Sequence, residues 1–257
     1  MPIEAKHFRL DDKIALVTGG SRGIGKSICL ALAAQGAEVI VASRKLDACQ
    51  ALAGEITKAG GKAYAIACNS GDLEDVRALI NQIESQFGRL DILVNNSAAN
   101  PWFGSLLDLE IDAYNKTVDV NLRGTLFTSI FAARMMVKTG GGVIINTGSL
   151  NAAQPVIGQG IYSITKGAVT TMTKALAKEL ASHSIRVNAI LPGITKTDAL
   201  RDLFKDSDEL PERLKKEVPM RRHGMPDEMA GAVVYLASDA SSYTTGACLT
   251  IDGGRTL

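Results

Sequence analysis

Short apolar runs alternate with longer stretches of helical periodicity, and this alternation constrains the fold more than any other feature of the chain. The apolar runs at 14–17, 38–42, 63–68, 92–94, 143–147, 186–191 and 248–251 read as strands. Between them, 24–35, 46–59, 73–87, 111–137 (in more than one piece), 162–182 and 225–237 read as helices. Strands that are apolar throughout need cover on both faces, and strands alternating with helices imply parallel pairing. The expected class is therefore α/β: a doubly wound, mostly parallel sheet of about seven strands with helices on both faces, a Rossmann-type arrangement. No linker or repeat interrupts residues 1–257, so one domain is the simplest reading. The polar, charge-mixed stretch 197–223 breaks the rhythm and is expected to be a substrate lobe within that domain.

The first strand runs into Thr18-Gly19-Gly20-Ser21-Arg22-Gly23-Ile24-Gly25 and then a helix. Glycines there permit a tight turn and close approach of a pyrophosphate, which the helix N-terminus meets with unpaired N–H groups and its positive dipole end. Gly19, Ser21, Arg22, Gly23, Ile24 and Gly25 are thus candidate dinucleotide-binding residues, although such a turn also serves as a plain tight connection. After the second strand comes Ser43-Arg44-Lys45, where an acid would favour NAD(H) through the ribose 2′-hydroxyl. Arg44, with Arg22 approaching from the glycine turn, suits a 2′-phosphate instead, and NADP(H) is expected over NAD(H). The alternative for Arg44 is a solvated residue after a strand.

The fifth strand leads into Ser149, and Tyr162 and Lys166 lie four residues apart on one predicted helix face. A cation beside a phenol favours the phenolate, so Lys166 is expected to lower the Tyr162 pKa and make it an acid/base group. Ser149, at the carboxyl end of a strand where open α/β sheets bind ligands, is placed to hold and polarise a substrate oxygen. A tyrosine packed over a lysine stem is the bland alternative for the pair.

Charge argues against other classes. Twenty-eight basic and 27 acidic residues leave +1, with no basic stripe for nucleic acid. No apolar run reaches the length of a membrane span, and the polar start is no secretory signal. Cys29, Cys49, Cys68 and Cys248 are too scattered for a disulfide framework or a metal site, so no metal is expected and reduced thiols fit a cytoplasmic protein. The end, Arg255-Thr256-Leu257, differs from a Ser-Lys-Leu address.

Over essentially its whole length the sequence resembles the classical short-chain dehydrogenase/reductase family. The resemblance is carried by TGGSRGIG, by Asn95-Asn96-Ser97-Ala98 where the family has NNAG, and by Asn121 in DVNLRG. It continues through Ser149, Tyr162 and Lys166, through Pro192-Gly193-Ile194-Thr195-Lys196-Thr197 for PGxxxT, and through Ile251-Asp252-Gly253-Gly254. It implies a catalytic set of Asn121, Ser149, Tyr162 and Lys166, with Tyr162 exchanging the proton with the carbonyl oxygen. Lys166 would also bind the nicotinamide ribose, and Asn121 would help hold a relay water. It further implies that the Asn95 backbone meets the adenosine ribose side, and Asn69 the adenine where the family commonly has aspartate. Thr195 and Thr197 would hold the carboxamide and phosphate end, and Pro192-Gly193 would shape the nicotinamide pocket. Ser97-Ala98 departs from the family's Ala-Gly, which tightens the turn.

On the substrate side, Trp102 in Asn100-Pro101-Trp102-Phe103-Gly104 is read as a substrate wall or a packed structural aromatic. Gln154 and Val156, after Ser149, are expected at the pocket, with Leu200, Leu203 and Phe204 adding apolar lining. These features resemble peroxisomal-type NADP(H) carbonyl reductases and bacterial 3-oxoacyl-acyl-carrier-protein reductases within the family, and the residues do not separate the two. Arg123, Arg134 and Lys138 are candidates for meeting an acidic carrier or are solvated helix residues. The expected partner is a small carbonyl or alcohol substrate. The resemblance also implies a homo-oligomer, a tetramer favoured over a dimer. The rival to an enzyme is a nucleotide-sensing protein of the same fold.

Overall fold

The structure, a computed structural model, describes residues 5–197 and 211–257. Seven strands, β1 (Ile14–Thr18), β2 (Glu38–Ser43), β3 (Lys62–Ala67), β4 (Ile92–Asn95), β5 (Gly142–Thr147), β6 (Ile185–Pro192) and β7 (Cys248–Ile251), form one sheet in the order β3-β2-β1-β4-β5-β6-β7. Every neighbouring pair is parallel. The chain order reverses between β1 and β4, which opens a crevice at their carboxyl ends.

Helices α1 (Gly23–Ala34), α2 (Leu46–Lys58) and α8 (Pro226–Ala237) cover one face, packing Ile28, Leu32, Leu52 and Val233 on Val17, Val39 and Ile145. Helices α3 (Leu73–Phe87), α5 (Thr125–Lys138) and α6 (Gly160–Leu180) cover the other, where Leu79, Ile83 and Met136 meet Leu16, Leu93 and Ile144. The strands alternate between two buried faces, so their solid apolar runs follow from the architecture. Helix ends are marked locally. The Asp72 carboxylate accepts from the Glu74 and Asp75 amides at the start of α3, and Gly88 closes it with φ of 69°.

The expected helix at 111–137 is α4 (Ile111–Val118) joined to α5 by a π-helical turn, Asp119–Gly124. Such turns insert one residue into a helix and are frequent at functional sites. Gly124 is pressed so closely on the Ser70 carbonyl oxygen that a side chain there would collide with it. Of the expected lobe at 197–223, residues 198–210 lie outside the described residues, and with them Leu200, Leu203 and Phe204. The described remainder contains α7 (Glu212–Glu217), and the stretch is pinned at its base by hydrogen bonds between the Ile194–Lys196 and Gly224 backbones.

Candidate active site

Thr18 ends β1, and its hydroxyl accepts from the amides of Asn96 (3.1 Å) and Ser97 (3.2 Å) across the switch point. The Asn96 amide nitrogen donates to the Thr18 and Gly19 carbonyls at 3.3 and 3.1 Å. Gly19 and Gly23 take φ of 61° and 53°, the left-handed region that favours glycine. A Cβ on Gly25 would strike the Gly19 carbonyl and the Asn96 amide, so α1 begins as close to the strand as backbone allows. Arg22 occupies the cap of α1 in extended conformation, and no side chain caps that helix. Ser21 and Ile24 are half-buried beside it. The Thr197 methyl lies against Gly23, which brings the far end of the PGxxxT segment to the same turn. This cradle, closed to side chains and with uncapped N–H groups at its floor, fits a dinucleotide pyrophosphate.

Beyond the turn, half-buried Ser43 places its hydroxyl 3.0 Å from the Cys49 thiol. Arg22 and Arg44 are exposed, and among the described residues neither has an acidic partner. Asn69 follows β3 alongside Ser43, its amide oxygen accepting from the Gly71 amide at 3.3 Å. Asn95 turns its side chain inward, donating to Ser129 (2.8 Å) and Asn146 (2.9 Å), which leaves only its backbone for a ligand. Asn146 continues the buried chain to Thr173 at 2.9 Å, bolting β4 and β5 to α5 and α6. The departure at Ser97 has a use of its own: its hydroxyl accepts from Ser70 at 2.8 Å.

At the opposite end of the crevice, Ser149 follows β5 and Tyr162 and Lys166 face it from α6. The Lys166 ammonium donates to the Thr147 carbonyl at 2.7 Å and lies 5.5 Å from the centre of the Tyr162 ring. Burial pushes the Lys166 pKa down to about 8. Burial also raises the Tyr162 phenol, and a hydrogen bond with the Ser149 hydroxyl draws it partly back. The expected lowering of the Tyr162 pKa by Lys166 is thus corrected: taking the phenolate out of water raises the phenol, and the hydrogen bond that draws it back comes from Ser149, not from Lys166. The Ser149 oxygen also accepts from the Asn151 amide at 3.1 Å.

Asn121, 1% exposed, uses its side-chain oxygen and both amide protons. Its oxygen accepts from the Ala99 amide (2.7 Å), and its nitrogen donates to the Ala99 carbonyl (2.9 Å) and the Thr165 hydroxyl (3.1 Å). The side chain therefore clamps the loop after β4. Pro192 ends β6, and Gly193 is pressed against the Asp252 backbone, where a side chain would collide. Thr195 is buried with its hydroxyl donating to the Gly193 carbonyl at 3.2 Å.

The two loops expected on the substrate side meet each other. The Gly104 amide donates to the Gly158 carbonyl at 3.0 Å, Phe103 lies against Gly158, and Leu106 against Gly160. The Trp102 indole donates to the Ser105 carbonyl of its own loop at 3.3 Å, a staple within that loop. Gln154 is exposed and Val156 half-buried. Phe103, Leu106, Leu107 and Ile157 are exposed on this pair of loops. Sequence reasoning passed over Asn151 and Gln159, two residues after Ser149 and three before Tyr162, whose side-chain amides meet at 2.9 Å. Of the cations considered for an acidic carrier, Arg123 pairs with Asp119 (3.2 Å), Lys138 pairs with Glu84 (2.8 Å), and Arg134 stacks over Phe131.

Comparison with known proteins places this geometry among relatives. The family model described as Enoyl-(Acyl carrier protein) reductase matches residues 19–256. L-rhamnose 1-dehydrogenase (NAD(P)(+)) of Azotobacter vinelandii is 40% identical over 250 residues, covering 95% of this chain and 97% of that protein. The 3-oxoacyl-[acyl-carrier-protein] reductase FabG of Staphylococcus aureus is 39% identical over 244 residues, covering 94% and 97%. The crystal structure of a gluconate 5-dehydrogenase from Burkholderia cenocepacia, in complex with NADP and tartrate, superposes with a TM-score of 0.93 at 34% identity over 98% of both chains.

Proposed function

The chain belongs to the short-chain dehydrogenase/reductase family, and from that premise we propose that it is an NADP(H)-preferring oxidoreductase interconverting a ketone or aldehyde with its alcohol. The observation that carries the reading is the joint placement of Ser149, Tyr162 and Lys166 at one end of a crevice whose other end is a side-chain-free pyrophosphate cradle.

A bound nicotinamide cofactor supplies the hydride, or accepts it in the reverse direction. Gly19, Ser21, Ile24, Gly25 and the α1 N-terminus hold its pyrophosphate. Arg22, Ser43 and Arg44 take the 2′-phosphate, because exposed guanidinium groups without acidic partners are available to fork onto it. Asn69 and the Asn95 backbone border the adenosine, while Pro192, Gly193, Thr195 and Thr197 border the nicotinamide. Tyr162 gives its proton to the substrate oxygen in reduction and removes it in oxidation. Its raised pKa keeps it protonated near neutral pH, which suits the reductive direction. Ser149 donates to the same oxygen and holds the carbonyl in place. Lys166 supports the phenol from behind and reaches the ribose.

The reading includes a cytoplasmic location, supported by four free cysteines. It includes a homo-oligomer, with a tetramer favoured, supported by apolar residues left exposed on α5, α6 and β7 such as Val137, Ile164 and Leu249. No helix among the described residues is long and apolar enough to cross a membrane.

The test is oxidation of NADPH and of NADH against an aromatic ketone, an α-dicarbonyl, a ketose and an acetoacetyl thioester, with Tyr162→Phe beside the wild type. NADPH-dependent turnover is expected, reduced by about 10³-fold in Tyr162→Phe while NADPH still binds. Wild-type turnover retained in the variant sinks the assigned role of Tyr162. Tight NADPH binding with no turnover of any carbonyl favours a nucleotide-sensing protein, and turnover of the thioester alone favours an acyl reductase.

A further inference from the structure

The stretch 192–197 crosses the crevice. It leaves β6 with the Gly193 amide donating to the Ile251 carbonyl at 2.9 Å, and it finishes with the Thr197 methyl against Gly23 of the glycine turn. A dinucleotide with its pyrophosphate on that turn therefore runs its nicotinamide half beside 192–197 on the way to Tyr162 and Lys166. Two later parts of the chain hold this stretch. On one side Gly193 is pressed against the Asp252 backbone, where a Cβ would collide. On the other, the Gly224 amide donates to the Ile194 carbonyl at 2.8 Å, and the Lys196 amide donates to the Gly224 carbonyl at 2.9 Å.

The two supports are themselves joined. The Asp252 carboxylate accepts from the Gly254 amide (2.9 Å), the Thr256 amide (2.8 Å) and the Thr256 hydroxyl (2.7 Å), which winds 252–256 into a closed turn. The stretch 217–220 lies against that turn: the Met220 amide donates to the Gly253 carbonyl at 3.2 Å, and Gly254 meets Pro219. Arg255 reaches from the turn to Glu217, the last residue of α7, and donates to its carboxylate at 2.7 Å. The Arg255 side chain is only 15% exposed, so the pair is less screened by water and salt than one standing on the open surface. Residues 192–197, 217–224 and 252–256 thus close into one frame, and the Arg255–Glu217 pair spans two of its sides.

We propose that Arg255 is a positioning residue for the cofactor: paired with Glu217, it locks the frame that holds 192–197 against the nicotinamide half. Ordering a segment at the moment of binding subtracts from affinity, so a segment ordered beforehand binds more tightly. The frame does that ordering in the ligand-free protein. Its effect is confined to one half of the cofactor, because the glycine turn is held separately by Thr18 and Asn96. The inference rests on the oxidoreductase reading above, and deepens it by naming a residue outside the crevice motifs that governs how the nicotinamide half is held.

The experiment measures affinity by calorimetry for whichever of NADPH and NADH the wild type binds more tightly, and for the matching fragment without nicotinamide, 2′,5′-ADP or AMP. The proteins are the full-length wild type, Arg255→Met, Glu217→Gln, the double variant and Arg255→Lys, with thermal melting as the check on folding. Amide hydrogen exchange at Lys196 and Gly224 is followed in the ligand-free proteins. Arg255→Met and Glu217→Gln are each expected to weaken the dinucleotide roughly 3- to 10-fold, to leave the fragment within about twofold, and to speed exchange at both amides. The double variant should bind no worse than the weaker single variant, and Arg255→Lys should recover part of the loss. Dinucleotide affinity unchanged in the folded variants, dinucleotide and fragment weakened alike, or losses that add in the double variant, overturns the inference and leaves the oxidoreductase reading standing. A wild type that binds neither dinucleotide overturns both.

Discussion

The two ends of the crevice are built on different terms. At the nucleotide end, backbone meets backbone: Gly25 against Gly19, Asn96 tied to the Thr18 and Gly19 carbonyls, and Thr18 tied to the amides of Asn96 and Ser97. At the proposed substrate rim, large apolar side chains stand in solvent, with Leu107 96% and Ile157 97% exposed. Ligands common to many enzymes are held by shape that only particular residues permit. A ligand peculiar to one enzyme is met by side chains that the fold itself does not require.

Four experiments sharpen or break that contrast. Gly25→Ala drives a methyl into the Gly19 carbonyl, and is expected to lower stability by about 2–3 kcal/mol and to abolish tight NADPH binding. Unchanged denaturation and NADPH titrations would show that the cradle yields, and the contrast would fail. Lys166 tests burial at the junction of the two regions. Its pKa falls from an ordinary 10.5 to about 8, so between pH 8 and 10.5 the unfolded chain binds more protons and ligand-free stability rises with pH. Below pH 8 the penalty of the buried charge is complete, roughly 3 kcal/mol. Melting curves of Lys166→Met should lack this rise, and an identical pH slope in the variant would contradict the burial argument.

Arg44→Asp, still at the nucleotide end but on its exposed flank, should shift the ratio of kcat/KM for NADPH over NADH by about 10- to 100-fold toward NADH. A constant ratio would mean the guanidinium does not reach the 2′-phosphate. Ile157→Ser, on the rim, is expected to leave stability within about 0.5 kcal/mol, because the side chain already stands in water. A larger loss by thermal melting would reveal packing at the rim that the contrast denies.

Legibility in the sequence follows the same division. TGGSRGIG can be read because the backbone conformations at Gly19 and Gly23, and the collision at Gly25, exclude other residues. The helix at Leu73–Phe87 and the strand at Cys248–Ile251 match their periodic runs because nothing tertiary overrides the pattern. The π turn at Asp119–Gly124 is invisible in DVNLRG, where Asn121 is held by Ala99, 22 residues away, a contact that no local pattern encodes. The Asn151–Gln159 pair escaped for a related reason. A short 3-10 turn at Leu150–Ala152 and the cap of α6 bring together amides that share no periodic face. Spacing located Tyr162 and Lys166 but not the direction of the phenol's shift, because burial is a property of the whole site.

The hydrogen bond from Gly104 to Gly158, with Phe103 and Leu106 seated on neighbouring glycines, makes the two rim loops one mechanical piece. Loops from distant parts of the chain thus share a fate. A duplication of this gene that drifts toward a new substrate cannot lengthen or reshape one loop without disturbing the seat of the other. Selection for a new substrate is therefore expected to recover paired changes, one near 103–106 and one near 158–160, and a laboratory library that randomises either loop alone samples the poorer half of the available variation.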